Sequence, residues 1–418
     1  MAEISFPGEV DVLKATLVSC FGKEIDISGL IVDITLYEDI FSNTMSGYLL
    51  IEDSLDLITT LPLLGQEQFI VELQTPTIGG KIQKEFYIYK LQHKTNKKRV
   101  QMYMLNFCSL ELISSSNSKV AKSFSGNIST TVSSIFTDPK YIGSKSDIFI
   151  ENTKNDYSFI APYWSPIETI NWLGSKSLNK QGVANYLFFE TNKSFEYTSI
   201  DTLLKGQIKR EYVFSDIDSN TMIGYDGNIE EKYNVVETIN SPVTFDYLRN
   251  INAGMFASKL QTFDITTKTI NTTTFDYIDD FNKSTHLEKH PLRTDSLTRK
   301  KLASLYFIEK NNYLTGTYKN QRHSEIFLQR NSLLEQLSAF KLTVKVFGRT
   351  DIKVGNVVKF TINEFRQILE DEIEAEGISD YYTGKYLITA IRHQILNNVH
   401  TMYMEIVSDS FVKQIINR

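Results

Sequence analysis

The sequence predicts a mainly β fold with α+β parts: two similar small antiparallel β-barrels, a helix-and-hairpin domain and an insertion domain. Three observations point there. Aromatics are abundant, with 26 Phe and 22 Tyr against 2 Trp, and such residues suit pleated, half-buried surfaces. Apolar and polar residues alternate with period two in several short runs separated by turn formers. One of those runs returns near the C-terminus at a fixed spacing. The 418 residues exceed a comfortable single core, and a prior of about 150 residues per domain suggests two to four.

The elements follow in chain order. In LIVDITLYED, Val32, Ile34 and Leu36 alternate with Asp33, Thr35 and Tyr37, the period of a half-buried strand. SNTMSGYLLIED, FIVELQTP, EFYIYKLQH and RVQMYMLNF continue the series, with TPTIGG and KTNKK as turns, which predicts a first β-barrel over 1–111. SSSNS at 114–118 reads as a loop and a boundary. NISTTVSSIFTDP places Ile128, Val132, Ile135 and Phe136 at helical spacing before Asp138-Pro139 ends the helix. In SPIETINWLG, Ser165 is the N-cap, Pro166 suits the first helical position and Glu168 completes a capping box. NYLFFE and SFEYTSI, joined by TNKS, read as a hairpin, so 112–205 forms the helix-and-hairpin domain.

Strands return in REYVF, NVVETI and ASKLQTFDITTKTINTTTFDY. HSEIFLQRNSLLEQLSAF reads as a helix with Ile326, Leu333, Leu337 and Phe340 along one face, and the strands of KLTVKVFGRTDIKVGNVVKFTI break at Gly348 and Gly355. The expected organisation is a second β-barrel from 206–258 and 341–411, an insertion domain at 259–340 ending in a helix, and a tail at 412–418. The acidic run at 369–377 reads as a solvated helical or loop insertion rather than a calcium loop, lacking the spaced Asp/Asn/Gly order.

FYIYKLQHKTNKKRVQMYMLNFCS (86–109) aligns without a gap on YLITAIRHQILNNVHTMYMEIVSD (386–409) at an offset of 300. Ile88 meets Ile388, His93 meets His393, and Met102-Tyr103-Met104 meets Met402-Tyr403-Met404. Upstream, GQEQFIVEL matches GNVVKFTI at an offset of 290, from Gly65 to Gly355. Each copy reads as a strand, a turn containing Asn96 or Asn397-Asn398, and a strand; Asn tolerates the positive φ of tight hairpins. A duplicated sheet unit is therefore expected, with Met102 and Met402 at superposable positions. Methionines packed in a core under each sheet are a simpler reading than an adaptable contact surface.

Chemical signals are sparse. A formal net charge of −6 argues against a protein built to wrap nucleic acid. No basic-then-apolar leader opens the chain and no run of about 18 apolar residues occurs, so neither secretion nor a membrane span is expected. Cys20 and Cys108 are expected as buried free thiols. His286-Leu287-Glu288-Lys289-His290 spaces two histidines four apart, but Glu does not follow the first directly and Pro291 follows the second; a solvated loop is expected rather than a metal site. His93 and His393 recur at matched positions, as structural strand-end residues would. There is no P-loop and no G-x-S-x-G elbow. No catalytic, cofactor-binding or metal-ligating residues are therefore expected, and no cofactor. Such a chain suits an assembly component. In a threefold ring its two units would give six nearly equivalent positions.

Three stretches resemble the baseplate hub proteins of contractile-tailed (myovirus, T-even-like) bacteriophages, which are related to type VI secretion spike hub domains. LIVDITLYEDIFSNTMSGYLLIEDSLDLITTLPLLGQEQFIVEL resembles their first barrel, SPIETINWLGSKSL with YLFFETNKSFEYTSIDTLL the module that follows, and VFGRTDIKVGNVVKF with GKYLITAIRHQI the second barrel. The resemblance implies a structural, non-enzymatic virion protein of the tail baseplate, made in the bacterial host cytoplasm. It implies a homotrimer forming a pseudo-sixfold ring that joins the hexameric tail tube protein to the trimeric tail spike protein, touching other baseplate proteins and DNA only as transit through the channel. Two alternatives stay open: a tail-associated cell-wall hydrolase on a hub-like scaffold, and a spike component of another contractile injection system.

Overall fold

The computed structural model describes residues 6–97, 100–214, 229–241, 245–264, 268–292, 305–310, 323–362, 379 and 381–413. The chain opens with β1 (Asp11–Val18), β2 (Glu24–Asp26), β3 (Ile31–Asp39), β4 (Ser46–Asp53), α1 (Leu57–Thr60), β5 (Gln68–Gln74), β6 (Lys81–Lys97) and β7 (Val100–Ser109). Then come α2 (Leu110–Asn117), β8 (Ser123–Asn127), α3 (Ile128–Thr137), β9 (Ile148–Ile150), β10 (Asp156–Ile160), α4 (Pro166–Gly174), β11 (Tyr186–Glu190), β12 (Phe195–Ser199) and α5 (Ile200–Leu204). Next are β13 (Ile208–Phe214), α6 (Ile229–Lys232), β14 (Val236–Asn240), α7 (Tyr247–Asn252), β15 (Ala257–Asp264), β16 (Thr269–Asp276), α8 (Tyr277–Asp280), β17 (His290–Pro291) and β18 (Leu305–Lys310). The chain closes with α9 (His323–Gln336), β19 (Lys341–Phe347), β20 (Val357–Ile362), β21 (Gly384–Leu396), β22 (Val399–Val407) and β23 (Ser410–Phe411).

The fold is mainly β, and one long sheet path runs β14-β19-β22-β21-β3-β4-β7-β6-β5-β1-β2. Its two halves enclose separate cores. Inward residues of β1 and β3 to β7, among them Ala15, Leu36, Leu49, Val71, Phe86 and Phe107, form one cluster. Leu342, Val344, Phe360, Leu387, Met402, Met404 and Ile406 belong to a second. In this second unit β13 runs parallel to β20 and touches the start of β14 through a Val213–Val235 bridge, returning the path toward where it began. A third cluster joins α3, α4, β11 and β12, and a fourth lies between α9 and the β15–β16 hairpin. Gly47 permits the tight first core, because a Cβ there would lie 2.1 Å from the Thr35 carbonyl and 2.6 Å from the Phe107 ring.

The duplication is legible in the topology. The order β5-β6-β7-β4-β3 of the first unit returns as β20-β21-β22-β19-β14, with every neighbouring pair antiparallel. The irregularities repeat as well. A bulge between Ile88 and Lys90 recurs between Ile388 and Ala390, and one between Ile31 and Asp33 recurs between Val236 and Thr238. Leu64 N–H donates to the Glu67 carboxylate (2.6 Å) as Lys353 N–H donates to the Asn356 side chain (3.1 Å).

The register nonetheless corrects the alignment. Gln92 faces Met104 while Arg392 faces Tyr403, so the offset is 300 on the first strand of the hairpin and 299 on the second. A second bulge, at His93-Lys94 between Gln92 and Thr95, supplies the extra residue in the first copy; His93 sits there at φ 55°. The two MYM triplets therefore face opposite ways. Tyr103 and Leu105 point into the first core, whereas Met402 and Met404 point into the second. Met102 is 39% exposed and Met402 fully buried, so the expected superposition fails by one residue and with it the face. The upstream offset is likewise 289 rather than 290: Ile88 N–H donates to the Glu67 carbonyl and Ile388 N–H to that of Asn356.

Locally, most elements form as their residues dictate. Ser165 and Glu168 make the reciprocal capping box of α4, a feature worth about 1 kcal/mol. Asn397 and Asn398, at φ 51° and 62°, make the tight β21–β22 turn. Asn96 instead lies within the β6 ladder, opposite Gln101. SSSNS is not a loop but the end of α2, where Ser116 and Ser118 hydroxyls donate to the carbonyls of Leu112 and Ser114 (2.8 Å each). Buried Ser115 accepts from Ile167 N–H at the start of α4. Hydroxyls bonding back along the helix let a serine run remain helical. Both cysteines are free, but Cys20 is exposed and only Cys108 buried. The acidic run 369–377 lies outside the described residues.

Candidate functional site at the seam between the two sheet units

The two units meet where β21 changes partner. Its first residues, Gly384 to Leu387, pair with β20, and Ala390 to Leu396 pair antiparallel with β3 of the first unit. Cross-links stiffen this seam. Thr75 and Thr350 exchange backbone-to-hydroxyl hydrogen bonds (3.2 Å each), and Thr350 Oγ1 also donates to the Gly80 carbonyl (2.7 Å). At the N-terminus, Gly8 N–H donates to the Tyr233 hydroxyl (3.0 Å) and the Gly8 carbonyl accepts from His400 N–H (2.7 Å).

Inside lies a buried polar chain. Glu38 on β3, His393 on β21 and His400 on β22 are each at most 1% exposed. Glu38 Oε1 and His393 Nε2 are 3.0 Å apart, as are His393 Nδ1 and His400 Nε2. The second Glu38 oxygen accepts from Val354 N–H. Gly348 makes room, since a Cβ there would lie 2.0 Å from the His400 ring. His400 Nδ1 has no hydrogen-bond partner among the described residues. Two protons on the imidazole pair satisfy both contacts; a third must sit on His400 Nδ1, a buried donor with nothing to accept it. Burial, and then neighbouring His393, accordingly hold His400 well below the usual imidazole range. Spacing gave no hint of this chain, because Glu38 lies 355 residues from His393. His93, the residue matched to His393 in sequence, is exposed in its bulge and joins no such chain among the described residues.

The His286–His290 stretch is not a solvated loop. His286 Nδ1 lies 2.7 Å from Asp409 Oδ2, and the ring stacks on Phe281 at 3.8 Å. The other Asp409 oxygen accepts from Leu287 N–H and the Ser410 hydroxyl, and His290–Pro291 pairs with β23. Ser284 Oγ stands 3.1 Å from His286 Nε2, the order of a Ser-His-Asp triad. However, Nε2 is closer to the Phe281 carbonyl, at 2.7 Å. A ring donating there has no lone pair to accept the serine proton, so this cluster acts as a clip holding residues 286–291 to Asp409 and β23. Among the described residues no group of three or more His, Cys, Asp or Glu side chains could hold a metal ion, and no helix is long and apolar enough to cross a membrane.

No family model and no curated protein matches the sequence. Solved structures do share the arrangement. The 43 kDa tail protein of prophage MuSo2 from Shewanella oneidensis superposes with a TM-score of 0.58 at 9% identity, over 95% of this chain and 98% of that one. A tail protein from Neisseria meningitidis gives 0.55 at 10% identity, over 95% and 96%. At such identities the likeness is one of architecture, and this chain has the fold of these tail proteins.

Proposed function

We propose that the chain is a structural hub of a phage-type tail baseplate: a trimer whose two sheet units per chain form a pseudo-sixfold ring, joining a hexameric tube to a trimeric spike and leaving a channel for DNA. The observation that carries this reading is the repeated strand order with its repeated bulges. A chain holding two like units side by side offers six like positions from three copies, and so can meet sixfold and threefold partners on opposite faces. The tail-protein fold supports a role in the virion. The seam chemistry supports a scaffold, since Glu38, His393 and His400 are buried against one another where two sheet units join.

Native mass spectrometry and electron microscopy of the purified chain test the reading. A trimer whose projections show six similar lobes is expected. A strict monomer that stays apart from tube and spike proteins overturns it.

A further inference from the structure

β6 and β21 are equivalent strands, yet among the described residues only β21 is covered along its C-terminal half. There, Ala390 to Leu396 pair with β3. The matching stretch of β6, from Lys90 to Lys97, pairs with β7 on one side; on the other, β5 reaches only as far as Tyr87 among the described residues. Leu91, His93, Lys94, Thr95 and Asn96 are exposed. The opposite strand shows the same imbalance. β3 lies between β4 and β21, whereas its counterpart β14 pairs with β19 and has, among the described residues, no second ladder beyond the Val213–Val235 bridge at its start. Glu237, Thr238 and Asn240 of β14 are exposed.

We propose that these two open edges pair between copies: β14 of one chain adds antiparallel to the C-terminal half of β6 in the next, repeating in trans the β3–β21 junction. This rests on the ring reading above and names the strands that form the ring. The internal junction fixes the register. Ile34 faces Ile395 and Thr35 faces Gln394. By the matched ladders, Ile34 corresponds to Ile239 and Thr35 to Asn240, while Ile395 corresponds to Asn96 and Gln394 to Thr95. Ile239 should therefore lie opposite Asn96 of the neighbour, and Asn240 opposite Thr95.

The β6 stretch carries Lys90 and Lys94, and lysines on an exposed edge oppose indiscriminate strand addition, so the edge favours a partner whose register the fold already specifies. The contact is head-to-tail and closes into a ring when three copies have completed the turn.

Disulfide trapping in a Cys20→Ser background tests the pairing. Asn96→Cys with Ile239→Cys, and Thr95→Cys with Asn240→Cys, are oxidised and run on non-reducing gels. Successive antiparallel pairs alternate between close and wide side-chain separation, so at least one double variant should give covalent trimers, and none of the four single variants should. Native trimers that neither double variant cross-links overturn the strand pairing and leave the ring standing. Monomers overturn both.

Discussion

The one-residue slip between the hairpins makes an unequal prediction for two methionines that the sequence presents as twins. Met402 is fully buried among Val344, Val346 and Ile391 of the second core. Truncation to alanine there removes buried atoms and leaves a cavity, a change that costs about 2–5 kcal/mol. Met102, 39% exposed, borders solvent, which fills the gap left by its side chain, so Met102→Ala should cost about 1 kcal/mol or less. Because the chain holds several cores, a single global midpoint would blur the comparison. Hydrogen exchange read by mass spectrometry on peptides covering β22 and β7 separates the two sites. Met402→Ala should speed exchange in β19, β21 and β22 by roughly 30-fold to 4,000-fold, and Met102→Ala should speed exchange in β4, β6 and β7 by less than about fivefold, at about 1.4 kcal/mol per decade. Equal acceleration at the two sites would refute the slip and restore the superposition implied by the matching triplets.

Two further outcomes are expected. Thiol labelling at pH 8 should modify Cys20 alone in the native chain and both cysteines in urea, because burial, and then Glu190, push the Cys108 thiol up to about 11; native labelling of both would contradict the buried site. Acid should loosen the seam: the folded state holds His400 neutral, so its contribution is present in full above the unfolded value of about 6.5 and is lost as pH falls toward the depressed folded value, by about 1.4 kcal/mol per pH unit. Exchange in 390–396 corrected for intrinsic rates should rise between pH 7 and 5 in the wild type and rise less in His400→Phe; identical pH profiles would rule out His400 as the titrating group.

Much of the fold could be read locally, and the reasons are physical. Alternation along LIVDITLYED, the Ser165–Glu168 box and the Asn397-Asn398 turn each depend on neighbours a few residues away. The failures arose where the deciding contact is distant or where one residue changes phase. SSSNS looks like a loop until the hydroxyls of Ser116 and Ser118 are seen bonding back along α2. His286 looks solvated until Asp409, 123 positions on, meets it. In the hairpins, residue identity favoured the in-register MYM match, but a strand has period two, and one extra residue in a bulge exchanges its faces. No pattern of identities reports such a bulge when both faces can accept either Met or Tyr.

The slip also shows where the two units have diverged. By ladder position Gln101 corresponds to His400, Tyr103 to Met402 and Asp53 to Gly348. In the first unit this corner is self-sufficient: the Tyr103 hydroxyl donates to Asp53 Oδ2 (2.9 Å), and the same carboxylate accepts from Leu55 and Leu57 N–H. In the second unit the hydroxyl and the carboxylate are both gone. Glycine at 348 admits the His400 ring, which reaches through His393 to Glu38 on the other unit. One corner thus serves its own sheet in one copy and the junction in the other. That is the expected division if the β21 edge is always covered from within the chain, while the β6 edge waits for a neighbour: permanent contact tolerates a buried polar chain that an edge exposed before assembly could not keep dry. The chemistry of the corner and the open edge of β6 therefore bear on the same question, and covalent capture of β14 on β6 would answer for both.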